Sequence, residues 1–323
     1  MTEQISVYTS QEYNPYKNLA TEKWLFENVK DNELILYLWQ NQNTVVIGKN
    51  QNPWAECNLA KMKEDGVLLA RRNSGGGAVF HDLGNLNFTF ISAAENYSLE
   101  RNMEVIALAC KKAGIQTEIS GRNDILADGR KFSGNAFLNS RGKAYHHGTV
   151  LISADSEKMQ KYLTPSKAKL EAKGVKSVKS RIINLTEINP HLTCDKMREF
   201  FLEAFEEYYG MRADVISGVS PDAYVEEFTN NIHLYGAQPP FTFLCQKRFP
   251  WGVADLRVNV KGGIIESAKL YTDAMDENLS SVVESALCGC TFNIGTVKER
   301  LFFSLSEDIA GDIVSLFTES EII

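Results

Sequence analysis

Several features that mark specialised classes of protein are scarce or missing in this chain of 323 residues. Its six cysteines are scattered without any CxxC spacing, which argues against a disulfide framework in a chain of this length. The longest apolar runs, such as Leu34–Trp39, are far too short to cross a bilayer. The first residues contain no basic stretch followed by an apolar one, so no signal peptide is expected. These absences predict a protein of the reducing cytoplasm.

An excess of positive charge is also missing. The chain carries 34 basic and 41 acidic residues, a net charge of −7, and its isoelectric point is near 5.4. This balance argues against a general nucleic-acid binder and against a protein that binds anionic membranes. The hydrophobic share of 44% excludes wholesale disorder. At roughly 150 residues per domain, the length predicts about two domains.

The first part of the chain alternates helix-like and strand-like segments. Asn14–Lys30 carries apolar side chains at helical spacing and predicts an amphipathic helix. Leu34–Trp39 and Thr44–Ile47 are rich in aliphatic and β-branched residues, and the Asn/Gln turn between them predicts two strands paired with each other. Val67–Ala70 and Leu86–Ile91 predict further strands, with a glycine loop between them.

Two more helices have clear end signals. Ser98–Ala113 begins with a good N-cap residue, and Gly114 follows its end. Lys196–Tyr209 repeats apolar residues at positions i, i+3, i+4 and i+7, and Gly210 follows it. Between these helices, Lys143–Ser153 predicts a strand.

The composition changes at Gly236–Pro240, where the sequence GAQPP cannot continue a regular element and predicts a linker. The chain therefore divides into residues 1–236 and a small α+β domain over 241–323. The small domain begins with a hairpin signal and continues in helical patterns to Leu316. Its predicted strands are Phe241–Gln246, Val253–Val260 and Ile264–Tyr271, with a Gly262-Gly263 turn before the last.

The most informative stretch is RRNSGGGAVFHDLGNLNFTF, residues 71–90. Glycines let backbone N–H groups approach a ligand, and the guanidiniums of Arg71 and Arg72 can bind a phosphate or a carboxylate. This predicts an anion-binding loop, although a flexible surface turn would also fit a run of three glycines. The loop is neither a Walker A sequence nor a GxGxxG fingerprint.

A second cluster is GRNDILADGRKFSGNA, residues 121–136. Asn123 and Asp124 precede a short apolar strand, and an Asp128-Gly129 turn leads to Lys131. A lysine is a compact cation that can neutralise charge shared between a carboxylate and a phosphate, but a lysine beside a turn is also commonly just solvated. Ser133 lacks the GxSxG context of a hydrolase nucleophile.

Paired histidines lie in the strand sequence AYHHGTVLIS, residues 144–153. Adjacent strand residues point to opposite faces, so His146 and His147 are a poor pair of metal ligands. Hydrogen bonding within the core or around a site is the preferred interpretation.

Residues 158–181 form a basic segment of an otherwise acidic chain, with eight basic residues against one acid, Glu171. Such a segment is commonly a solvated helix face. The alternation of basic and small residues in KGVKSVKSR, residues 173–181, also suits a loop that closes over phosphate.

Four motifs resemble the lipoate–protein ligases in order and spacing: RRNSGGGAVFHDLGNLNFTF, GRNDI with KFSGNA, HHGTVL, and KGVKSVKSRIINLTEI. The resemblance covers nearly the whole chain, including the small C-terminal domain. It implies an α+β protein with a biotin/lipoyl-ligase-like large domain of mixed β-sheets, similar to class II aminoacyl-tRNA synthetases, and a small α+β C-terminal domain.

The resemblance also implies an activity. Members of the family use ATP and Mg²⁺ to activate lipoate as lipoyl-adenylate. They then transfer the lipoyl group to a lysine of lipoyl-domain acceptors, namely 2-oxoacid dehydrogenase E2 subunits and the glycine-cleavage H protein. No nucleic acid and no membrane take part, and the chain is expected to be a monomer.

Site residues follow from matching positions in the family motifs. The catalytic residue is expected to be Lys131, which would touch both acyl carbonyl and phosphate, and Asp124 is the expected metal contact, with Asn123 alongside. The expected ATP-binding residues are Arg72, Gly76, Gly77, Ala78, Val79, Phe80 and Lys131. The expected lipoate-binding residues are Lys131, Arg71, Ser74, Gly75 and His147. The expected adenylate loop contains Lys173, Ser177, Lys179 and Arg181.

Three alternatives stay open at the level of sequence. A biotin ligase would share the fold and the adenylation chemistry. An octanoyl- or lipoyltransferase would take acyl groups from carrier proteins and would need a cysteine nucleophile. A non-catalytic lipoate-binding protein would bind the acid without releasing pyrophosphate from ATP.

Overall fold

A computed structural model describes residues 2–120, 124–164, 182–236 and 239–319. The strands in these ranges are β1 Gln4–Thr9, β2 Glu33–Trp39, β3 Thr44–Ile47, β4 Leu68–Arg71, β5 Val79–His81, β6 Asn85–Ala93, β7 Glu118–Ser120, β8 Asp124–Ala127, β9 Arg130–Ser140, β10 Lys143–Leu151, β11 Asp214–Val215, β12 Phe243–Phe249, β13 Gly252–Lys261 and β14 Ile264–Thr272. The helices are α1 Pro15–Asn28, α2 Pro53–Glu56, α3 Leu59–Glu64, α4 Leu99–Lys112, α5 Ser156–Tyr162, α6 Cys194–Tyr209, α7 Asp222–Thr229, α8 Asn231–Tyr235, α9 Leu279–Leu287, α10 Ile294–Ser304 and α11 Glu307–Thr318.

Three sheets organise the described chain. The large sheet has eight strands in the order β11-β1-β2-β6-β10-β9-β8-β7 and is mixed, since β1 runs parallel to β2 and β11 while the other neighbours are antiparallel. A small sheet has the order β4-β3-β5, and the C-terminal sheet has the order β12-β13-β14. The predicted class, α+β with mixed sheets and a small C-terminal α+β unit, is confirmed.

The predicted pairing of Leu34–Trp39 with Thr44–Ile47 is wrong. Strand β2 pairs with β1 and β6, whereas β3 pairs with β4 and β5 in the small sheet. Every residue of both strands is buried, so each needs a layer on both of its faces. The turn between them, with Asn43 at φ 41°, therefore crosses from one layer to another instead of closing a hairpin.

The large sheet is covered on both faces. On one face, α4 and α6 pack through Ile106, Phe201 and Phe205 against Phe88 and Phe90 of β6. On the other face, α1 packs with the small sheet against alternate residues of the same strands, among them Tyr37, Trp39, Ile91 and Tyr145. This second face contributes to the cavity described below.

The predicted helix ends are confirmed for α4 and α6. The Ser98 side chain accepts a hydrogen bond from the Arg101 N–H at the start of α4, and Gly114 adopts φ +77° beyond its end. Gly210 ends α6 in the left-handed conformation, with φ +63°. Glycine adopts this conformation without the steric cost that a Cβ would add, which is why both helices stop there.

The C-terminal unit has a hydrophobic core of its own, built by β12–β14 and α9–α11 from residues between Phe243 and Phe317. The predicted turn at Gly262 and Gly263 is confirmed, with φ of +57° and +77°. Of the predicted linker, residues 237 and 238 lie outside the described residues. No helix in the described ranges is long and apolar enough to cross a membrane.

Candidate active site

A cavity of about 1040 Å³ lies where the large sheet, the small sheet and the C-terminal unit meet. Its wall contains apolar side chains from α1 and both sheets, namely Leu19, Trp39, Val46 and Val79. Charged and polar groups on the same wall include Arg72, His81, Asn87, Asp124, Lys131, His147 and Thr149. Met275 and Arg248 are among the residues that the C-terminal unit contributes.

The glycine loop connects β4 to β5 in a tight turn that only glycine can make. A Cβ at Gly75 would lie 2.4 Å from the carbonyl oxygen of Ala274, and a Cβ at Gly48 would lie 2.2 Å from that of Gly76. Gly76 also has φ +88°, and its N–H donates to the Ala274 carbonyl at 3.0 Å. The loop is therefore held between the small sheet and the C-terminal unit.

Only part of the loop reaches the cavity. Arg72 and the segment Gly76–Val79 line it, whereas Phe80 is buried against Tyr162. Arg72 donates to the carbonyl oxygens of Gly75 and Gly77 at 2.6 and 2.8 Å, which fixes the loop around the guanidinium. Burial lowers the pKa of Arg72 to about 10, so the group stays charged at neutral pH. The cavity wall thus carries a permanent cation.

Arg71 has a different place from the one expected of a lipoate contact. Its guanidinium is buried, is not on the cavity wall, and donates only to backbone carbonyls of the described residues at 2.6–3.2 Å. The accepting carbonyls belong to Gly48, Lys49, Gln51, His233 and Leu234. Arg71 therefore ties the segment after β3 to α8 and supports the loop from behind.

Lys131 and Asp124 form an ion pair on the cavity wall, with 2.6 Å between Nζ and Oδ1. Each side chain is about one-third exposed, at 35% and 37%. A register shift in the pairing of β8 with β9 places Lys131 opposite Leu126, and the next residue, Phe132, enters the core. The turn predicted at Asp128-Gly129 is confirmed, with φ of 49° and 69°.

Gly134 leaves room for the Lys131 ammonium. A Cβ on Gly134 would lie 2.9 Å from Nζ, and the Gly134 N–H donates to Thr149 Oγ1 at 3.3 Å. Thr149 in turn is in register with Asn87 on β6. The ammonium group therefore stands at one end of a row of cavity residues that crosses β9, β10 and β6.

Asp124 is the expected metal contact, and the described residues limit how it could hold an ion. The described residues contain no group of three or more His, Cys, Asp or Glu side chains that could hold a metal. Mg²⁺ at nucleotide sites commonly needs only one or two carboxylates because phosphates and waters supply its other ligands. The carboxylate of Asp124 fits that mode.

The two histidines of β10 point to opposite faces, and their predicted hydrogen-bonding role is confirmed. His146 is buried among Phe88, Phe90 and Phe137, with Nε2 2.8 Å from Asn135 Oδ1. Burial lowers its pKa to about 3, so it is neutral.

His147 faces the cavity and bridges two buried groups. Its Nδ1 is 2.8 Å from Glu22 Oε1, and its Nε2 is 2.7 Å from Ser74 Oγ. Because the Glu22 carboxylate only accepts, the His147 Nδ1–H donates to it. In the neutral ring Nε2 then accepts from the Ser74 hydroxyl, which itself accepts from Arg72 Nε at 3.1 Å. Ser74 and Gly75 are not on the cavity wall, and Ser74 acts on the site through His147.

Glu22 and Trp39 were missed by the sequence analysis. Glu22 is almost fully buried and also accepts a hydrogen bond from Thr89 Oγ1, which in turn accepts from the Trp39 indole. The signal for Glu22 was present, since it lies three residues after Leu19 and four before Phe26 on the apolar face of α1. A charged residue in an apolar stripe needs a buried partner. The remaining expected site residues, Asn123, Lys173, Ser177, Lys179 and Arg181, lie outside the described residues.

The layered sheets, the glycine loop and the lysine on the cavity wall define an α+β protein of the biotin/lipoate-ligase-like fold class. The family model "Lipoyl protein ligase A/B catalytic domain" matches residues 14–206, and the model "Bacterial lipoate protein ligase C-terminus" matches residues 238–316. The chain belongs to the lipoyl protein ligase A/B family.

Individual relatives agree with the family match. A lipoate-protein ligase A of Bdellovibrio bacteriovorus is 42% identical over 311 residues, covering 93% of this chain and 92% of the relative. The P. falciparum protein LipL1, solved in complex with lipoate, is 32% identical to this chain. The match covers 96% of this chain and 98% of the LipL1 chain, and the TM-score is 0.85. A lipoate-protein ligase A bound with ATP shares the fold. It is 23% identical, the match covers 73% of this chain and 99% of that one, and the TM-score is 0.62.

Proposed function

We propose that this chain is an ATP-dependent lipoate–protein ligase that forms lipoyl-adenylate and transfers the lipoyl group to a lysine of an acceptor domain. One observation carries the proposal beyond family membership. The Lys131 ammonium and the Arg72 guanidinium lie on the wall of one cavity, which also carries the apolar side chains of Leu19, Trp39, Val46 and Val79. Such a wall suits an acyl chain with its carboxylate and a nucleotide phosphate at the charged end.

The order of the strands suggests how the acid would lie. Lys131 Nζ stands beside Gly134 on β9, and Trp39 and Asn87 lie on β2 and β6. Strands are ~4.8 Å apart, so β6 is about 10 Å from β9 across the sheet. We place the carboxylate at Lys131 and the distal part of the acyl chain at Trp39 and Leu19.

The first step joins the acid to AMP. A carboxylate oxygen of lipoate attacks the α-phosphorus of ATP, and the bond to pyrophosphate breaks. Negative charge that builds up around the phosphorus is stabilised by Lys131 and by N–H groups of Gly77, Ala78 and Val79, while Gly76, whose own N–H donates to the Ala274 carbonyl, shapes the loop beside the nucleotide. Arg72 holds these amides in place through the carbonyls that it binds.

In the second step the amine of an acceptor lysine attacks the acyl carbon, loses a proton, and AMP leaves. This step needs no nucleophile from the enzyme. All six cysteines lie in the described residues and none lines the cavity, which argues against the alternative transferase with an acyl-cysteine intermediate.

Other residues have supporting tasks in the proposal. Phe80 supports the nucleotide loop from the core, and His147 borders the acyl chain while Ser74 and Gly75 shape the wall behind it. Asp124 would hold Mg²⁺ together with phosphate oxygens, and the ion would supply further neutralisation of the triphosphate. The cations Lys173, Lys179 and Arg181, with Ser177, would contact the adenylate.

The proposal extends to organisation and partners. Residues 1–236 form the catalytic domain and residues 241–323 an accessory domain. The acceptors are lipoyl domains of 2-oxoacid dehydrogenase E2 subunits and the glycine-cleavage H protein, and the enzyme acts as a cytoplasmic monomer.

The test combines pyrophosphate release with acceptor mass. Purified enzyme with ATP and lipoate should release pyrophosphate, and adding a purified lipoyl domain should give a lipoyl mass shift that requires ATP. Binding of lipoate without pyrophosphate release would indicate the non-catalytic alternative. Use of biotin instead of lipoate would indicate a biotin ligase. Transfer from an acylated carrier protein without ATP would indicate an octanoyl- or lipoyltransferase.

A further inference from the structure

The C-terminal unit places an arginine on the cavity wall. It is Arg248, near the end of β12, and its side chain is 27% exposed. Its Nη1 has no hydrogen-bond partner among the described residues and lies 3.7 Å from Asp273 Oδ2, an ion pair that is too long for a hydrogen bond. A guanidinium has five N–H donors and stays charged, so a largely buried one that is so loosely paired can bind an anion from the cavity.

The ion pair holds Arg248 beside the glycine loop. Asp273 follows β14 directly, and the next residue, Ala274, accepts the Gly76 N–H at 3.0 Å. A Cβ on Gly76 would lie 3.0 Å from Arg72 Nη2, so the guanidinium of Arg72 is close to the same point of the loop. Arg248 therefore stands near the part of the cavity where the proposed function puts the nucleotide phosphates.

The charges around Arg248 make it a single directed cation. Among the described lining residues of the C-terminal unit, Arg248 is the cation, and Asp273 and Asp276 are the anions. Asp273 Oδ1 accepts from the Val253 N–H at 2.7 Å, which fixes the carboxylate against the turn after β12. This wall is thus not a broad positive surface. It offers one guanidinium to one anionic group of a ligand in the cavity.

We propose that Arg248 binds the pyrophosphate part of ATP, so that the C-terminal unit supplies a cation to the leaving group. A guanidinium can bind two phosphate oxygens at once through parallel N–H···O bonds. As the bond between the α-phosphorus and pyrophosphate breaks, negative charge moves onto the pyrophosphate, and a cation held there stabilises the transition state. The inference rests on the proposed function.

The reverse of the adenylation step isolates this contact. An oxygen of pyrophosphate attacks the α-phosphorus of synthetic lipoyl-adenylate, the bond to the acyl oxygen breaks, and ATP and lipoate form. Arg248→Met and Arg248→Lys both keep an unbranched side chain and differ in charge. Arg248→Met should raise the KM for pyrophosphate about 10- to 100-fold, the loss of a hydrogen bond to a charged group, and Arg248→Lys should raise it less. Arg248→Gln repeats the test with a neutral polar side chain.

Transfer from lipoyl-adenylate to a purified lipoyl domain is the second readout, because pyrophosphate takes no part in it. Arg248→Met should transfer at nearly the wild-type rate, which also shows that the variant is folded. Lys247→Ala is the matched control. Lys247 precedes Arg248 on β12, pairs with Glu319 at 2.6 Å and lies off the cavity wall, so this variant should keep the wild-type KM for pyrophosphate.

Two results would overturn the proposal. One is a KM for pyrophosphate that is the same in Arg248→Met as in Arg248→Lys or in wild type. The other is an equal loss of transfer in a folded variant, which would put Arg248 at the acyl chain or at the acceptor. Failure of the proposed function would look different, since wild-type enzyme would then neither release pyrophosphate from ATP and lipoate nor form ATP from lipoyl-adenylate.

Discussion

Lys131 illustrates how a single residue acquires its role from its neighbours. The ammonium is paired with Asp124 and stands beside Gly134, whose missing Cβ provides the space that the group occupies. In the proposed reaction, charge develops between carboxylate and phosphate, and a compact cation stabilises that transition state more than the separated reactants.

Lys131→Ala should therefore reduce the rate of lipoyl-adenylate formation by ~10²–10³ without unfolding the protein, because a partly exposed side chain contributes little to the core. Lys131→Arg should also form lipoyl-adenylate slowly, since the planar guanidinium is wider than the space beside Gly134. The measurement is single-turnover pyrophosphate release with ATP and lipoate.

Arg130 provides the control for this experiment. It is adjacent in sequence but pairs with Glu187 at 2.9 Å and is not on the cavity wall, so Arg130→Ala should keep most of the activity. A folded Lys131→Ala enzyme that forms adenylate near the wild-type rate would remove Lys131 from the mechanism.

At the scale of elements, the loop between β4 and β5 is shaped by what packs on it. Its backbone contacts the segment after β3 on one side and residues 274–275 of the C-terminal unit on the other. The three consecutive glycines are thus not equivalent. Gly75 has no room for a side chain, Gly76 has a positive φ, and Gly77 faces open space.

Gly75→Ala should lower the free energy of unfolding by about 1–3 kcal/mol, because its methyl group would meet backbone oxygens of Ala274 and Met275 at 2.4 and 2.6 Å. Backbone atoms cannot move aside as a flexible side chain could. Gly77→Ala, with nothing within 4 Å of the new Cβ, should be near wild type in stability. Urea titrations of both variants make the comparison. Equal stabilities would show that the C-terminal unit yields easily at this contact.

At the scale of the whole molecule, the buried histidines predict an acid-sensitive fold. Burial lowers the pKa of both His81 and His146 to about 3, from an ordinary value of 6.5. Below pH 6.5 the unfolded chain binds protons that the folded chain excludes, so stability falls as the pH falls from about 6.5 towards 3. Each histidine should contribute up to about 1.4 kcal/mol per pH unit in that window.

Urea unfolding at a series of pH values between about 7 and 5 measures this slope. His146→Leu removes one of the two groups and should reduce the slope by up to about 1.4 kcal/mol per pH unit. If the variant keeps the wild-type slope, His146 must be protonated within the folded protein.

The sequence alone predicted the helices with marked ends, strands β4 and β6, the C-terminal hairpin and the candidate anion loop, but it did not predict the short strand β5, Val79–His81, that follows the glycines. These depend on local chemistry: caps, turn glycines and periodicity act over a few residues, so they can be read in order. The family resemblance then marked Lys131, which as an isolated residue would have looked like a solvated lysine.

Only the tertiary structure decided which strands pair, where Arg71 points, and which groups stand behind the cavity wall. Leu34–Trp39 and Thr44–Ile47 look alike because both are fully buried, and burial alone does not say in which sheet. Arg71 is the last residue of β4 and Arg72 follows it, and their side chains point in different directions: Arg72 lines the cavity, whereas Arg71 binds the carbonyls behind the loop. Glu22, His81 and Asn87 belong to the site because separate layers bring them within reach, and contacts between layers leave no local pattern in the sequence.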